Sequence, residues 1–133
     1  MSYKIFISSS SKDLDLARDL AKRLRKSGLK VVMPEPAETI NAEYIKGRLK
    51  VVLRTVTEVI VILTKNSVNN QWVMFEIGYA TSSGVHVTPI IQGIEQKELP
   101  EIIKQMDYVK YGDLDQYISK LQQRVEEPSK SAA

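Results

Sequence analysis

Trp72 and Glu76 stand four residues apart in the run Trp72-Val73-Met74-Phe75-Glu76-Ile77-Gly78-Tyr79-Ala80. On a helix that spacing turns the indole and the carboxyl to one face, with Tyr79 and Ala80 a turn further on. An acid inside so apolar a stretch is costly to desolvate. Spacing alone leaves two readings: a carboxylate looking into a crevice, or a surface glutamate near the favourable end of a helix dipole. Two polar segments accompany it, Ser8-Ser9-Ser10-Ser11-Lys12-Asp13 and Thr64-Lys65-Asn66-Ser67-Val68-Asn69-Asn70-Gln71. The serine run has no glycine and matches no phosphate-binding fingerprint. Hydroxyls of Ser8, Ser9 and Ser10 could contact a ligand; equally, Ser11 or a neighbour could cap a helix, and Lys12 and Asp13 could be first-turn surface residues. His86 has no evident Ser or Cys partner and reads as structural. Arg18, Lys22, Arg25 and Lys26 read as the solvated face of a helix.

Short β-branched runs alternate with longer amphipathic segments, the pattern of βαβ units around a parallel sheet buried on both faces. Strands are predicted at residues 4–8, 30–33, 58–64, 86–92 and 107–110. The clearest helix covers 13–27, with Leu14, Ala17, Leu20, Ala21 and Leu24 on one face and Gly28 as its stop. Further helices are predicted at about 41–57, 70–83 with a stop at Gly84, 99–105 with Pro100 in the first turn, and 114–124. The fold class is therefore α/β: a flavodoxin-like three-layer sandwich with a five-stranded parallel sheet in the order 2-1-3-4-5, flanked by helices. In that order the ligand crevice opens at the carboxyl ends of strands 1 and 3, where the two polar segments meet.

The 133 residues, 43% hydrophobic and 26% charged with six Gly and five Pro, match one globular domain and exclude collagen-like, mucin-like and disordered classes. Residues 1–125 form that domain, and 126–133 read as a flexible tail or linker. With no cysteine and one histidine, disulfide scaffolds, thiolate zinc sites, iron–sulfur clusters and histidine metal cages drop out, and no metal is expected. The longest apolar run, Val59-Ile60-Val61-Ile62-Leu63, is far short of the roughly 18 to 20 residues of a membrane span, so no membrane insertion is expected. The start, Met1-Ser2-Tyr3-Lys4-Ile5, lacks the pattern of a signal peptide, which makes a cytoplasmic location the expectation. A net charge of +3 is short of the basic footprint of a dedicated nucleic-acid binder, and none is expected as partner.

Four segments in this order resemble the Toll/interleukin-1 receptor (TIR) domain, particularly its bacterial and archaeal members. They are Ile5-Phe6-Ile7-Ser8-Ser9-Ser10-Ser11-Lys12-Asp13, Val59-Ile60-Val61-Ile62-Leu63-Thr64, Trp72-Val73-Met74-Phe75-Glu76-Ile77, and Val87-Thr88-Pro89-Ile90-Ile91. In TIR domains that hydrolyse NAD, the Glu four residues after the Trp is catalytic, which the resemblance carries onto Glu76. Ser8, Ser9, Ser10, Asp13, Trp72 and Tyr79 then become candidate substrate contacts. Many TIR domains have an Arg-Asp-x-x-Pro-Gly-like loop after strand 2 that mediates assembly and gates the site. Here Met33-Pro34-Glu35-Pro36-Ala37-Glu38-Thr39-Ile40-Asn41 stands in its place, which gives the gating segment Pro34, Glu35, Pro36, Ala37 and Glu38 a different chemistry.

The chemistry so implied needs few residues. Ordinary glycosidases use two carboxylates, one to protonate a poor leaving group. The nicotinamide of NAD is bound as a pyridinium and departs neutral, so one carboxylate suffices to stabilise positive charge building on the ribose. Trp72 could wall the site or pack in the core. Capture of the sugar cation by water gives ADP-ribose; capture by a hydroxyl or adenine nitrogen of the same molecule gives a cyclic product. The resemblance thus implies an NAD glycohydrolase or cyclase in immune or cell-death signalling, with NAD as substrate, no cofactor, and other TIR domains as partners by self-association. An alternative within the family is a non-catalytic interaction module. A third reading is that Phe75-Glu76-Ile77-Gly78-Tyr79-Ala80 resembles the nucleophile helix of nucleoside 2-deoxyribosyltransferases. Those enzymes expel a neutral base, which calls for a proton donor that the crevice loops do not clearly supply.

Overall fold

Valine and isoleucine dominate the strand-forming runs, and their branched side chains suit a pleated surface covered on both faces. In the computed structural model, which describes residues 3–33, 43, 47 and 49–126, they form β1 (Lys4–Ser8), β2 (Lys30–Val32), β3 (Glu58–Leu63), β4 (His86–Ile91) and β5 (Val109–Lys110). Every neighbouring pair is parallel and the order is β2-β1-β3-β4-β5, the doubly wound arrangement that the alternation of runs implies. The helices are α1 (Leu14–Lys26), α2 (Lys50–Thr55), α3 (Gln71–Ser82), α4 (Glu101–Lys104) and α5 (Leu114–Glu126), with 3-10 turns at Ser11–Asp13, Gln96–Glu98 and Tyr111–Asp113.

Element ends differ from the sequence expectation where local pairing decides them. Strands stop at Val32, Leu63 and Ile91, the last residues with partners in the ladder, so Met33, Thr64 and Gln92 fall outside. β5 keeps only Val109 and Lys110, opposite Ile90 and Ile91, and Asp107 and Tyr108 lead into it. Pro100 precedes α4 instead of lying in its first turn, because its own backbone is extended (φ −57°, ψ 149°) and the helix begins at Glu101. Of the helix expected over 41–57, Lys50–Thr55 is the continuous described stretch, with Glu43, Gly47 and Leu49 also helical, and Val56 ends it in an extended conformation. α5 runs on to Glu126; the tail from residue 127 lies outside the described residues.

Both expected glycine stops are present. Gly28 (φ 88°) and Gly84 (φ 80°) adopt the left-handed conformation that a side chain would strain. The amides of Leu29 and Gly28 return to Leu24 and Arg25, and those of Val85 and Gly84 to Ala80 and Thr81, so α1 and α3 both close with a Schellman motif.

Strand alternation sorts the side chains into two cores. Phe6, Val59, Val61 and Leu63 face Leu53, Val73, Ile77, Ala80 and Ile103 of α2, α3 and α4. Ile5, Ile7, Ile60, Ile62 and Ile90 face Ala17, Leu20, Leu24, Tyr117, Ile118 and Leu121 of α1 and α5. Two polar residues inherit these directions. Ser8 follows Phe6 onto the α3 side, and Glu58 precedes Ile60 on the α5 side.

Glu58 is wholly buried at the amino end of the central strand. Its Oε1 accepts from Tyr3 at 2.7 Å and from Arg124 Nη1 at 2.8 Å. Its Oε2 accepts from Thr88 at 3.1 Å and from the Tyr117 hydroxyl. Burial, the bond to Glu58 and that carboxylate's charge push the Tyr3 phenol from 10.0 up to about 12. Burial and then the Glu58 charge push Tyr117 up further. Burial and the bond to Asp19 push Tyr111 up to about 12.

These phenols ionise near 10 in the unfolded chain, so above that pH the folded state holds more protons and stability falls as pH rises. Their contribution is whole below about pH 10 and is lost as the pH climbs through about 12. The expected result is a thermal midpoint steady from pH 7 to 9 that drops across about pH 10 to 12, with late-titrating tyrosinate absorbance at about 295 nm. A flat midpoint, or phenols that all titrate at the ordinary value, would contradict it.

Candidate functional site

α3 begins where Asn70 (φ −76°, ψ 119°) stops the loop and its Oδ1 accepts from the amides of Trp72 (2.9 Å) and Val73 (3.2 Å). This side-chain cap satisfies two amides that a helix start leaves open. From that start, helical spacing buries Val73, Glu76, Ile77 and Ala80 as one face. Glu76 is thereby turned to the sheet and is 3% exposed. The surface-glutamate reading is overturned: the apolar residues around Glu76 are the buried face of its helix, and it shares their direction.

The sheet presents Ser8 to it. Ser8 ends β1 on the α3 side and its Oγ donates to Glu76 Oε1 at 2.8 Å, with Ser8 1% exposed. A carboxylate thus sits at the carboxyl end of β1, beside β3, where a doubly wound sheet reverses its winding.

Asp13 is not a first-turn surface residue; it is buried between the two polar loops. Both its carboxyl oxygens lie 2.9 Å from Thr64 Oγ1. Ser10 Oγ donates to Oδ2 at 3.2 Å, and Asn66 Nδ2 donates to Oδ1 at 3.3 Å. The Thr64 hydroxyl accepts in turn from the Asn66 amide, and the Thr64 amide donates to Ser67 Oγ, both at 3.0 Å. Neither Ser10 nor Asp13 caps the helical turn that follows it through its side chain; the Ser10 hydroxyl goes to Asp13.

The remaining candidates fall as follows. Ser9 is buried beside Ser8 and Ser10. Trp72 is half-buried and packs against the core of Phe6 and Leu63. Tyr79 is half-buried, its ring 5.9 Å from that of Phe75 and tilted by 50°. By helical angle Trp72 and Tyr79 share one flank of the Glu76 face. The structure therefore pairs Ser8 with Glu76 and Ser10 with Asp13, and sets the two aromatic rings to one side. Pro34, Glu35, Pro36, Ala37 and Glu38 lie outside the described residues. His86 is exposed at the start of β4.

Thr64 and Asn66 were legible only as part of a polar loop; their roles depend on Asp13, fifty-one residues from Thr64. An open cleft of about 680 Å³ lies elsewhere, between the ends of β4 and β5, lined by Gln92, Glu95, Tyr108, Lys110, Tyr111 and Asp113 among others. It holds none of the crevice residues. Among the described residues there is no cluster of three or more His, Cys, Asp or Glu able to hold a metal, and no helix long and apolar enough to cross a membrane.

Comparison with known proteins agrees with this architecture. The family model for the TIR domain matches residues 5–125. No curated protein sequence matches the chain. Among solved structures, the TIR domain of the Toll-related receptor TRR-2 from Hydra magnipapillata is 16% identical with a TM-score of 0.66, covering 86% of this chain and 88% of that one. The TIR domains of the activated Roq1 resistosome, which recognises the pathogen effector XopQ, are 19% identical with a TM-score of 0.58, covering 75% of this chain and 66% of that one. A metazoan TIR-STING receptor from C. gigas is 18% identical with a TM-score of 0.64; the match covers 91% of this chain and 39% of the receptor. At such identities the structures show a shared fold. With the family match running over nearly all of the described residues, from the first strand through the last helix, the chain belongs to the TIR domain family.

Proposed function

We propose that this TIR domain cleaves the nicotinamide–ribose bond of NAD, with Glu76 as the catalytic carboxylate. The observation that carries the reading is the buried Glu76 at the carboxyl end of β1, held by the Ser8 hydroxyl at 2.8 Å. In such surroundings a fixed negative charge is worth far more to a developing sugar cation than in water. Nicotinamide leaves as a neutral base and needs no acid to protonate it, so a single carboxylate suits this bond better than that of a nucleoside. With 3% of its surface exposed, Glu76 must be uncovered for substrate to reach it, and association with other TIR domains is the event proposed to do so. NAD is a substrate in this reading, no cofactor takes part, and the cytoplasm is the proposed location.

The test is NAD consumption at high protein concentration, with and without a crowding agent, with products resolved chromatographically. Turnover is expected in the assembled state, and the product peak separates ADP-ribose from a cyclic isomer. Absence of turnover in every assembled state would reject the enzyme and leave an interaction module, with deoxynucleosides as the next substrates to try.

A further inference from the structure

We infer that Asp13 is a positioning residue: it locks the β1–α1 loop to the β3–α3 loop and so sets where Glu76 stands against Ser8. This rests on the catalytic reading of Glu76. The connections form a closed ring. Ser8 ends β1, and Ser10 and Asp13 follow it on the same loop. Asp13 receives Thr64 Oγ1 at 2.9 Å and Asn66 Nδ2 at 3.3 Å from the segment that ends at the Asn70 cap. Asn70 fixes the first turn of α3, and Glu76, one turn on, returns to Ser8 at 2.8 Å. Two loops are thus joined at two points, and a shift at one must be taken up at the other.

Asp13 itself is poorly placed to touch substrate. Thr64, Ser10 and Asn66 already engage both of its carboxyl oxygens. A carboxylate offers roughly four acceptor sites on its two oxygens, about twice those of an amide oxygen or a hydroxyl. That explains an acid at the point where three donors from two loops converge.

The experiment compares Asp13→Ala, Asp13→Asn and Thr64→Val with wild type, all as the full chain. Displacing a reacting group by about 1 Å costs roughly a hundredfold in rate. Asp13→Ala is therefore expected to lower kcat by roughly a hundredfold, and Asp13→Asn, which keeps one acceptor oxygen for Thr64, by under about tenfold, with KM for NAD unchanged. The Asp13→Asn/Thr64→Val double variant is expected to be no slower than the worse single one, since both break one link. A raised KM at constant kcat would instead make Asp13 a substrate contact. Unchanged kcat per folded molecule with a lower thermal midpoint would make it only structural. Either result overturns the inference.

A readout free of turnover separates this from failure of the enzymatic reading. The carbon-13 signal of the Glu76 carboxyl, assigned by its loss in Glu76→Gln, is expected to shift in Asp13→Ala and in Thr64→Val. If wild type leaves NAD intact and the signal still shifts, the link between the loops stands and the NAD reading falls. If the signal does not move in either variant, the inference is wrong whatever the activity.

Discussion

Glu76→Gln is expected to lower NAD cleavage by roughly a hundred- to a thousand-fold, the loss seen when one preorganised charge-stabilising group is removed from a site. Glutamine has nearly the same shape, and its side-chain carbonyl still accepts from Ser8. What it lacks is the negative charge that offsets the cation forming on the ribose. The fold should therefore survive while the rate collapses. Glu76→Ala makes the same point from the other side. It removes an acid from a helix face otherwise made of Val73, Ile77 and Ala80, ending the desolvation cost and improving helix propensity. It also takes this acceptor from the buried Ser8 hydroxyl, which costs about 1 to 3 kcal/mol. The contributions oppose, so its thermal midpoint should stay close to wild type while activity disappears. Functional acids commonly sit where stability alone would not place them. The checks are chromatographic NAD turnover and thermal unfolding by circular dichroism on the same preparations. A Glu76→Gln protein within about tenfold of the wild-type rate would sink the catalytic assignment.

Glu58→Ala is expected to do the reverse, unfolding the domain more easily while sparing the chemistry of the molecules that remain folded. Glu58 gathers Tyr3 from the start of the chain, Thr88 from β4, and Tyr117 and Arg124 from α5. Truncation leaves the buried Thr88 and Tyr117 hydroxyls without this acceptor, and each such loss costs about 1 to 3 kcal/mol. The ion pair adds less than a fully buried one, because the Arg124 side chain is 44% exposed. Together these suggest about 3 kcal/mol, or roughly a 10 °C fall in thermal midpoint for a domain of this size. Arg124→Ala should cost less, since the hydroxyl donors to Glu58 remain. Ser8 pairs with Val61, three residues along β3 from Glu58, so Glu58 stands about 10 Å from the Ser8–Glu76 pair along the strand and on the opposite face of the sheet. Hence kcat per folded molecule should be unchanged. A midpoint shift below about 2 °C would show that the network contributes little to stability.

The legible part of this molecule is the part governed by periodicity. Leu20, Ala21 and Leu24 at helical spacing, and Gly28 just beyond, specify α1 and its end because each follows from local geometry. The same holds for β3, whose six residues are all buried and which reads as a central strand in any context. Less legible were elements whose limits depend on a neighbour. β5 is only as long as its pairing with Ile90 and Ile91 allows. Glu58 shows in the sequence only as the first residue of the strand over 58–64, because Tyr3, Thr88, Tyr117 and Arg124, which bond it, lie thirty or more residues away in the chain.

The site divides along the same line. Spacing placed Trp72, Glu76 and Tyr79 on one side of a helix, and the alternation of elements brought the serine run to the end of the strand beside it. These are properties of short stretches of chain and survive in a linear reading. Whether Glu76 faces solvent or the sheet depends on which face of α3 meets the neighbouring strands. That Asp13 is enclosed by Thr64 and Asn66 depends on two loops more than fifty residues apart closing against each other. By itself the sequence determined the order of elements, the sheet and the end of it where chemistry belongs, because backbone periodicity is local. Only the tertiary structure decided which polar groups lose water and to whom they then bond, because burial and hydrogen-bond partners belong to the packed chain as a whole.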